Sequence, residues 1–177
     1  MRISGPGTSF PQSPEPGISD SIFRLEISPM RLISGGQTGV DRGALDAALE
    51  LGIPHGGWCP RGRLAEDGPI PDRYQLGESG SPEYPVRTEQ NVLQGDATLI
   101  LCRGRPSGGT ELTLRLAQKH GRPHLVVDLD RAPDPIEVRR WLADQRIETL
   151  NVAGPRDSQS PGIGALARDF IVRVFRS

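Results

Sequence analysis

The chain has 177 residues, of which 35% are hydrophobic, and a formal net charge of −1 at pH 7. This length and composition predict one domain with a hydrophobic core, and the near-neutral charge argues against a general nucleic-acid binder. No stretch approaches the roughly 20 apolar residues of a transmembrane helix, so we expect no membrane insertion. Cys59 and Cys102 form neither a disulfide framework nor a metal motif, which favours a reducing cytoplasm.

Residues 1–29 are rich in Pro, Ser and Gly and have no hydrophobic period. Such a segment buries too little apolar surface to offset the entropy of ordering it. No apolar stretch follows Arg2 as it would in a secretory signal. We therefore expect a disordered N-terminal tail over residues 1–29 and one folded domain over residues 30–177, which begins at Met30.

The first informative segment follows a short apolar run at residues 31–33. Three glycines occur within five residues, at positions 35, 36 and 39, and helical spacing begins at Val40. This pattern predicts a strand, a tight turn and a helix. The unpaired N–H groups at a helix start attract anions, most often phosphate or another oxyanion. The alternative is that these glycines serve only close packing.

A short second strand is predicted around residues 54–58. Residues 56–85 show no periodicity and form a long connection for a compact domain. The segment combines Trp58, Arg61 and the acidic pair Glu66 and Asp67 with several prolines. We interpret it as a structured lid over a site. A solvated excursion at the edge of a sheet is the alternative.

A second glycine-rich turn follows the next strand. Residues 84–93 read as a helix, residues 96–102 as a buried strand, and residues 103–110 as a turn that leads into a helix ending near His120. Ligands of open parallel sheets bind at the carboxyl ends of the strands, where the strand order reverses. If the first and third strands are neighbours, both turns converge there on an anion or a nucleotide-like ligand.

The remaining chain continues the alternation of strand and helix. We predict strands at residues 123–129 and 148–154 and helices at 135–145 and 163–175, and we expect the strand at 123–129 to be buried on both faces. Five strands alternating with helices predict an α/β fold with a parallel sheet.

Neither turn carries a recognised nucleotide motif. Both lack the Lys–Ser/Thr of a phosphate-binding P-loop, and neither has the Gly-x-Gly-x-x-Gly fingerprint of a tightly bound dinucleotide. Adjacent carboxylates such as Glu66 and Asp67 in a loop are more often solvated or capping than catalytic. A binding function therefore outranks a catalytic one.

Four blocks in order resemble the "putative molybdenum carrier" family, from Met30 to the C-terminus. They are residues 34–42, 56–68, 87–92 and 108–113. That family belongs to a superfamily with the "lysine decarboxylase-like" phosphoribohydrolases and the DNA-processing protein DprA. The resemblance implies a three-layer Rossmann-like fold with a five-stranded, mainly parallel sheet and helices on both faces. It also implies a homo-oligomer, dimer or tetramer, with a pocket between the two glycine turns that binds molybdate or the molybdenum cofactor.

The resemblance leaves a nucleotide-derived ligand and a phosphoribohydrolase-like activity open. The hydrolase relatives carry Pro-Gly-Gly-x-Gly-Thr-x-x-Glu at the second turn, and their glutamate helps to cleave an N-glycosidic bond. Here Thr113 stands at that position, and Glu111 lies two residues away, on a different side of the helix. Threonine cannot act as an acid or base at neutral pH, so we expect no catalytic residue here.

The predicted ligand site combines backbone N–H groups of both turns with side chains around them. We expect Arg42 or Arg87 to supply countercharge, Arg61 to close over the ligand and Trp58 to stack on it, while Asp41 caps the first helix. The full predicted set is Ser34, Gly35, Gly36, Gln37, Thr38, Gly39, Arg42, Trp58, Arg61, Arg87, Ser107, Gly108, Gly109 and Thr110. A carrier and a nucleotide-sensing module both remain compatible with this set.

Overall fold

The computed structural model describes residues 30–176. The predicted N-terminal tail therefore lies outside the described residues. In chain order the strands are β1 (Arg31–Ile33), β2 (His55–Gly56), β3 (Trp58–Cys59), β4 (Leu64–Ala65), β5 (Gly68–Pro69), β6 (Gly77–Glu78), β7 (Ala97–Cys102), β8 (His124–Asp128) and β9 (Thr149–Ala153). The α-helices are α1 (Val40–Leu51), α2 (Tyr84–Gln94), α3 (Gly108–Lys119), α4 (Pro135–Asp144) and α5 (Ile163–Arg176).

Five of these strands form one parallel sheet in the spatial order β2-β1-β9-β7-β8. Strand β9 thus lies between β1 and β7, the two strands that the glycine-rich turns follow, so these strands are not direct neighbours. If the chain is read from β9, the order becomes 3-2-1-4-5, which is the beginning of the Rossmann order. The strand order reverses between β9 and β7, so the loop after β9 lies at the position where such sheets bind ligands.

Helices cover the sheet in two groups, which makes the predicted three-layer Rossmann-like fold. Helices α1, α4 and α5 pack together, and α2 packs against α3. Helix α1 forms because its buried residues, among them Val40, Ala44 and Leu45, recur at helical spacing. No helix within residues 30–176 is long and apolar enough to cross a membrane.

The strand β8 differs from the sequence-based expectation. Within residues 30–176 it forms the edge of the sheet and pairs only with β7. Val127 is buried, but the other residues of the strand are at most partly covered, and Val126 is 37% exposed. An apolar run of this length does not distinguish an edge strand from a central one. The six residues of β7 are all buried.

Candidate functional site

A cavity of about 150 Å³ opens at the carboxyl ends of the central strands. Both turns singled out from the sequence reach it, together with α2 and the loop between β9 and α5. Its walls include Gln37, Asp41, Tyr84, Arg87, Gly109, Thr110, Arg156 and Gln159. The two turns therefore meet one cavity, although β9 separates β1 from β7.

Unpaired polar groups concentrate around this cavity. Among residues 30–176, four buried side-chain atoms lack a hydrogen-bond partner. Three of them, Gln37 Nε2, Arg87 Nε and Thr110 Oγ1, belong to residues that line the cavity. Two are N–H donors and the third is a hydroxyl that can donate. Because buried polar groups are nearly always paired in folded proteins, this concentration points to a ligand with acceptor atoms.

The orientation of the Gln37 amide is fixed by a hairpin of the lid. Gln37 Oε1 accepts hydrogen bonds from the backbone N–H groups of Thr38, at 3.1 Å, and Glu66, at 2.9 Å. Glu66 lies in the turn between β4 and β5, which pair antiparallel. Two backbone donors on one atom identify it as the amide oxygen, so the NH₂ group is the end left unpaired.

A buried ion pair forms the floor of the site. The Arg87 guanidinium donates through one terminal nitrogen to Asp41 Oδ2 at 3.3 Å, and the two side chains are 12% and 4% exposed. Asp41 does not cap α1 as expected, because Gly39 holds the cap position. Its Oδ2 also accepts from the Gln37 backbone N–H at 3.2 Å. Burial raises the pKa of Asp41, and the positive charge of Arg87 opposes that rise.

The segment interpreted as a lid, residues 56–85, contributes Tyr84 and Pro85 to the cavity lining, and both belong to α2 rather than to its irregular part. The acidic pair of the irregular part fastens it to the first turn, to α1 and to the loop after β9. Glu66 accepts hydrogen bonds from the Thr38 hydroxyl and from the backbone and side chain of Ser158. Burial alone would raise the pKa of Glu66, but these hydrogen bonds outweigh it and hold the pKa below its ordinary value. Asp67 pairs with Arg42, whose hydrogen bond lowers the pKa of that carboxyl. Both carboxylates thus shape the lid.

We expected the backbone N–H groups of the first turn to bind the anion, but several of them have partners within the protein. The N–H groups of Gln37, Thr38 and Val40 are already bonded within the protein, to Asp41, to the Gln37 side chain and to Pro155 respectively. The Arg87 guanidinium covers Gly35, and lid side chains cover Gly36. The glycines of this turn therefore serve close packing, and its contribution to the cavity is the Gln37 side chain.

The other predicted site residues fall into three groups. Gly109 and Thr110 line the cavity, and the neighbouring Ser107 and Gly108 are exposed at the start of α3. A second group is engaged in contacts within the protein and comprises Ser34, Thr38, Gly39 and Arg42. Trp58 packs its ring against Gly77, and Arg61 is exposed in the lid, and neither lines the cavity.

The sequence-based prediction missed the contribution of the loop between β9 and α5. Arg156 and Gln159 come from this loop and line the cavity beside Tyr84, the first residue of α2. The available signal was a third turn bounded by glycines, Gly154 and Gly162, directly after a strand. A Cβ atom at Gly154 would lie 2.2 Å from the Leu101 carbonyl oxygen, so the chain leaves β9 against the end of β7.

Comparisons with known proteins agree with this topology. A family model described as "Circularly permutated YpsA SLOG family" matches residues 32–175. A crystal structure at 1.45 Å of a "putative molybdenum carrier protein" from Syntrophus aciditrophicus SB shares 43% sequence identity, with a TM-score of 0.79 over 82% of this chain and 94% of that chain. None of the curated proteins matches this chain. A circular permutation accounts for the last strand at the centre of the sheet. The chain therefore belongs to the circularly permutated YpsA SLOG family.

Proposed function

We propose that this protein binds a small oxyanion, or the phosphate end of a larger ligand, and carries molybdenum as molybdate or as the molybdenum cofactor. The observation that carries the proposal is the set of unpaired groups on Gln37, Arg87 and Thr110 around one cavity. The similarity to a protein described as a "putative molybdenum carrier protein" supports the choice of cargo.

The chemistry of the walls suits an oxyanion. Gln37 and Arg87 offer N–H donors, Thr110 offers a hydroxyl, and Gly109 lies in the first turn of α3, where N–H groups have no partner within the helix. The positive end of the helix dipole adds to this preference for negative charge. The four oxygens of a tetrahedral oxyanion provide acceptors for all of these groups.

The size of the cavity narrows the choice of ligand. Its volume is about 150 Å³. Pockets for drug-sized ligands occupy about 300–1,000 Å³. The cavity therefore favours a free oxyanion, or a phosphate group whose attached pterin or nucleoside lies outside the mouth.

Thr110→Val tests the site with little change of shape. The loss of one hydrogen bond to a charged ligand is expected to weaken oxyanion binding by about tenfold to a hundredfold. Isothermal titration with molybdate, tungstate, sulfate and phosphate measures this, beside elemental analysis of the protein as purified. Because the Thr110 hydroxyl has no hydrogen-bond partner among residues 30–176, its removal leaves the free energy of unfolding unchanged or slightly raised.

Thr98→Val is the matched control. Its hydroxyl is also buried but accepts a hydrogen bond from Asn151 at 3.2 Å, and Thr98 does not line the cavity. This variant is expected to lose stability and to keep its affinity for the anion. Wild-type protein that binds none of the four oxyanions, or Thr110→Val protein that binds as wild type, contradicts the proposed site.

Acidification is expected to tighten anion binding because of Asp41. Because the pKa of Asp41 is raised, the folded protein binds the Asp41 proton more tightly than the unfolded chain does. The free energy of unfolding therefore falls as the pH rises through the pKa of Asp41 in the folded state. A neutral Asp41 no longer repels the anion and leaves the Arg87 charge available. Affinity for sulfate should therefore increase by up to about tenfold per pH unit as Asp41 takes up its proton. Titrations across pH should show no such slope in Asp41→Asn.

The expected cytoplasmic location, which rests on the cysteine content, and the homo-oligomeric assembly, which rests on the resemblance, remain part of this proposal. Analytical ultracentrifugation of the full chain tests the assembly, since a monomer at all concentrations contradicts it.

A further inference from the structure

The mouth of the cavity carries an arginine that the buried ion pair does not engage. Arg156 lies in the loop after β9, and its side chain is 36% exposed. Its guanidinium carbon is 5.6 Å from the centre of the Tyr84 ring, and the Arg87 guanidinium carbon is 5.8 Å from the same ring. The two guanidinium groups therefore share one aromatic side chain at the mouth of the cavity.

The charge of Arg156 matters for anion binding because the charge of Arg87 is already balanced. Arg87 and Asp41 form a buried pair whose charges cancel while Asp41 is ionised. Among the residues that line the cavity, Arg156 is the remaining one with a permanent charge. A dianion would enter a site without net charge unless Arg156 contributed. The planar guanidinium of arginine also matches the paired oxygens of an oxyanion.

Arg156 is held by weak contacts in this structure. A terminal nitrogen lies 3.8 Å from Glu66 Oε2, which is long for an ion pair, and the ring contact with Tyr84 is partly exposed. Exposed contacts of both kinds are weak. Glu66 is held more firmly, because it also accepts hydrogen bonds from Thr38 and Ser158. Arg156 can therefore move to a ligand while Glu66 stays with the lid.

We propose that Arg156, which already lines the cavity, turns its guanidinium group onto the bound oxyanion, and that Glu66 competes with the anion for that group. The inference rests on the proposed function and adds to it an anion-binding arginine and the carboxylate that competes for it. Glu66 then has two separable effects: it fastens the lid, and it lowers anion affinity by attracting Arg156.

Three variants test this pair by titration calorimetry with molybdate and sulfate. Arg156→Gln is expected to weaken binding by about tenfold to a hundredfold, and Arg156→Lys by less, since lysine keeps the charge without the planar fork. Glu66→Gln is expected to strengthen binding by up to about fivefold, because it removes the competing charge. When Arg156 is already replaced by glutamine, adding Glu66→Gln should not strengthen anion binding.

Exposed residues of α4 provide matched controls. Arg140→Gln and Glu137→Gln make the same charge changes outside the cavity lining and should bind as wild type. Thermal unfolding of every variant separates a change of affinity from a loss of the lid contact. Weaker binding in Glu66→Gln, or an equal effect of that change with and without Arg156, overturns the inference.

The inference and the proposed function fail in different ways. If wild-type protein binds an oxyanion and Arg156→Gln binds it equally well, only the role of Arg156 is refuted. If wild-type protein binds no oxyanion, the proposed function is refuted and this inference with it.

Discussion

Replacing Arg87 by glutamine is expected to lower the free energy of unfolding at neutral pH by about 3–5 kcal/mol, the usual cost of removing one partner from a buried ion pair. Arg87 and Asp41 are 12% and 4% exposed, so little water reaches the carboxylate that is left behind. The same variant should lose oxyanion binding, because Arg87 Nε is one of the unpaired donors at the cavity. Urea unfolding and calorimetric titration measure the two losses.

A double-mutant cycle identifies the cause of this loss of stability. Asp41→Asn in the Arg87→Gln background removes the stranded charge, so the double variant should recover most of the lost stability. Acidification should also reduce the loss in Arg87→Gln, because Asp41 without the opposing charge has a still higher pKa and becomes neutral more readily. Arg105→Gln, on the exposed second turn, is the control. An Arg87→Gln variant as stable as wild type contradicts the assignment of a buried pair.

Most of the fold could be predicted from local sequence. Every helix and every strand of the large sheet appears where hydrophobic periodicity and glycine turns place one, because these local patterns depend on neighbours within a few residues. The spatial order of the strands could not be predicted in the same way. The segment at residues 149–153 has no local feature that distinguishes a central strand from an edge strand, and its place depends on the topology of the whole chain.

The candidate site was predicted only in part, for a similar reason. The glycine turns and the cationic residues near them were sufficient to predict three residues that line the cavity, Arg87, Gly109 and Thr110. The role of Gln37 depends on a contact with Glu66, 29 residues away, which leaves its NH₂ group unpaired. Arg156 reaches the cavity because β9 lies between β1 and β7. Both features arise from contacts between distant parts of the chain, which no local pattern contains.

The contact between α1 and α5 connects the stability of the fold to the site. Gly43 in α1 lies so close to α5 that a Cβ atom there would be 2.2 Å from the Gly164 carbonyl oxygen. Asp41 lies on the same turn of α1, and the loop that carries Arg156 leads directly into α5. The close approach of the two helix starts therefore positions both charged groups relative to the cavity.

Gly43→Ala is accordingly expected to lower the free energy of unfolding by about 3 kcal/mol or more, because the backbone must move to admit the methyl group. This loss is at the upper end of the destabilisation that overpacking a core usually causes. Helix propensity alone predicts the opposite, a gain of about 1 kcal/mol for alanine over glycine. The sign of the change in thermal and urea unfolding thus decides between the two effects. Gly80→Ala is the control, since no atom of the described part of the chain lies within 4 Å of a Cβ atom there. The separation of α1 from α5 in Gly43→Ala should also move Asp41 and Arg156 apart and weaken oxyanion binding. A variant that is as stable as wild type and binds the oxyanion equally well would show that the helix contact does not position the site.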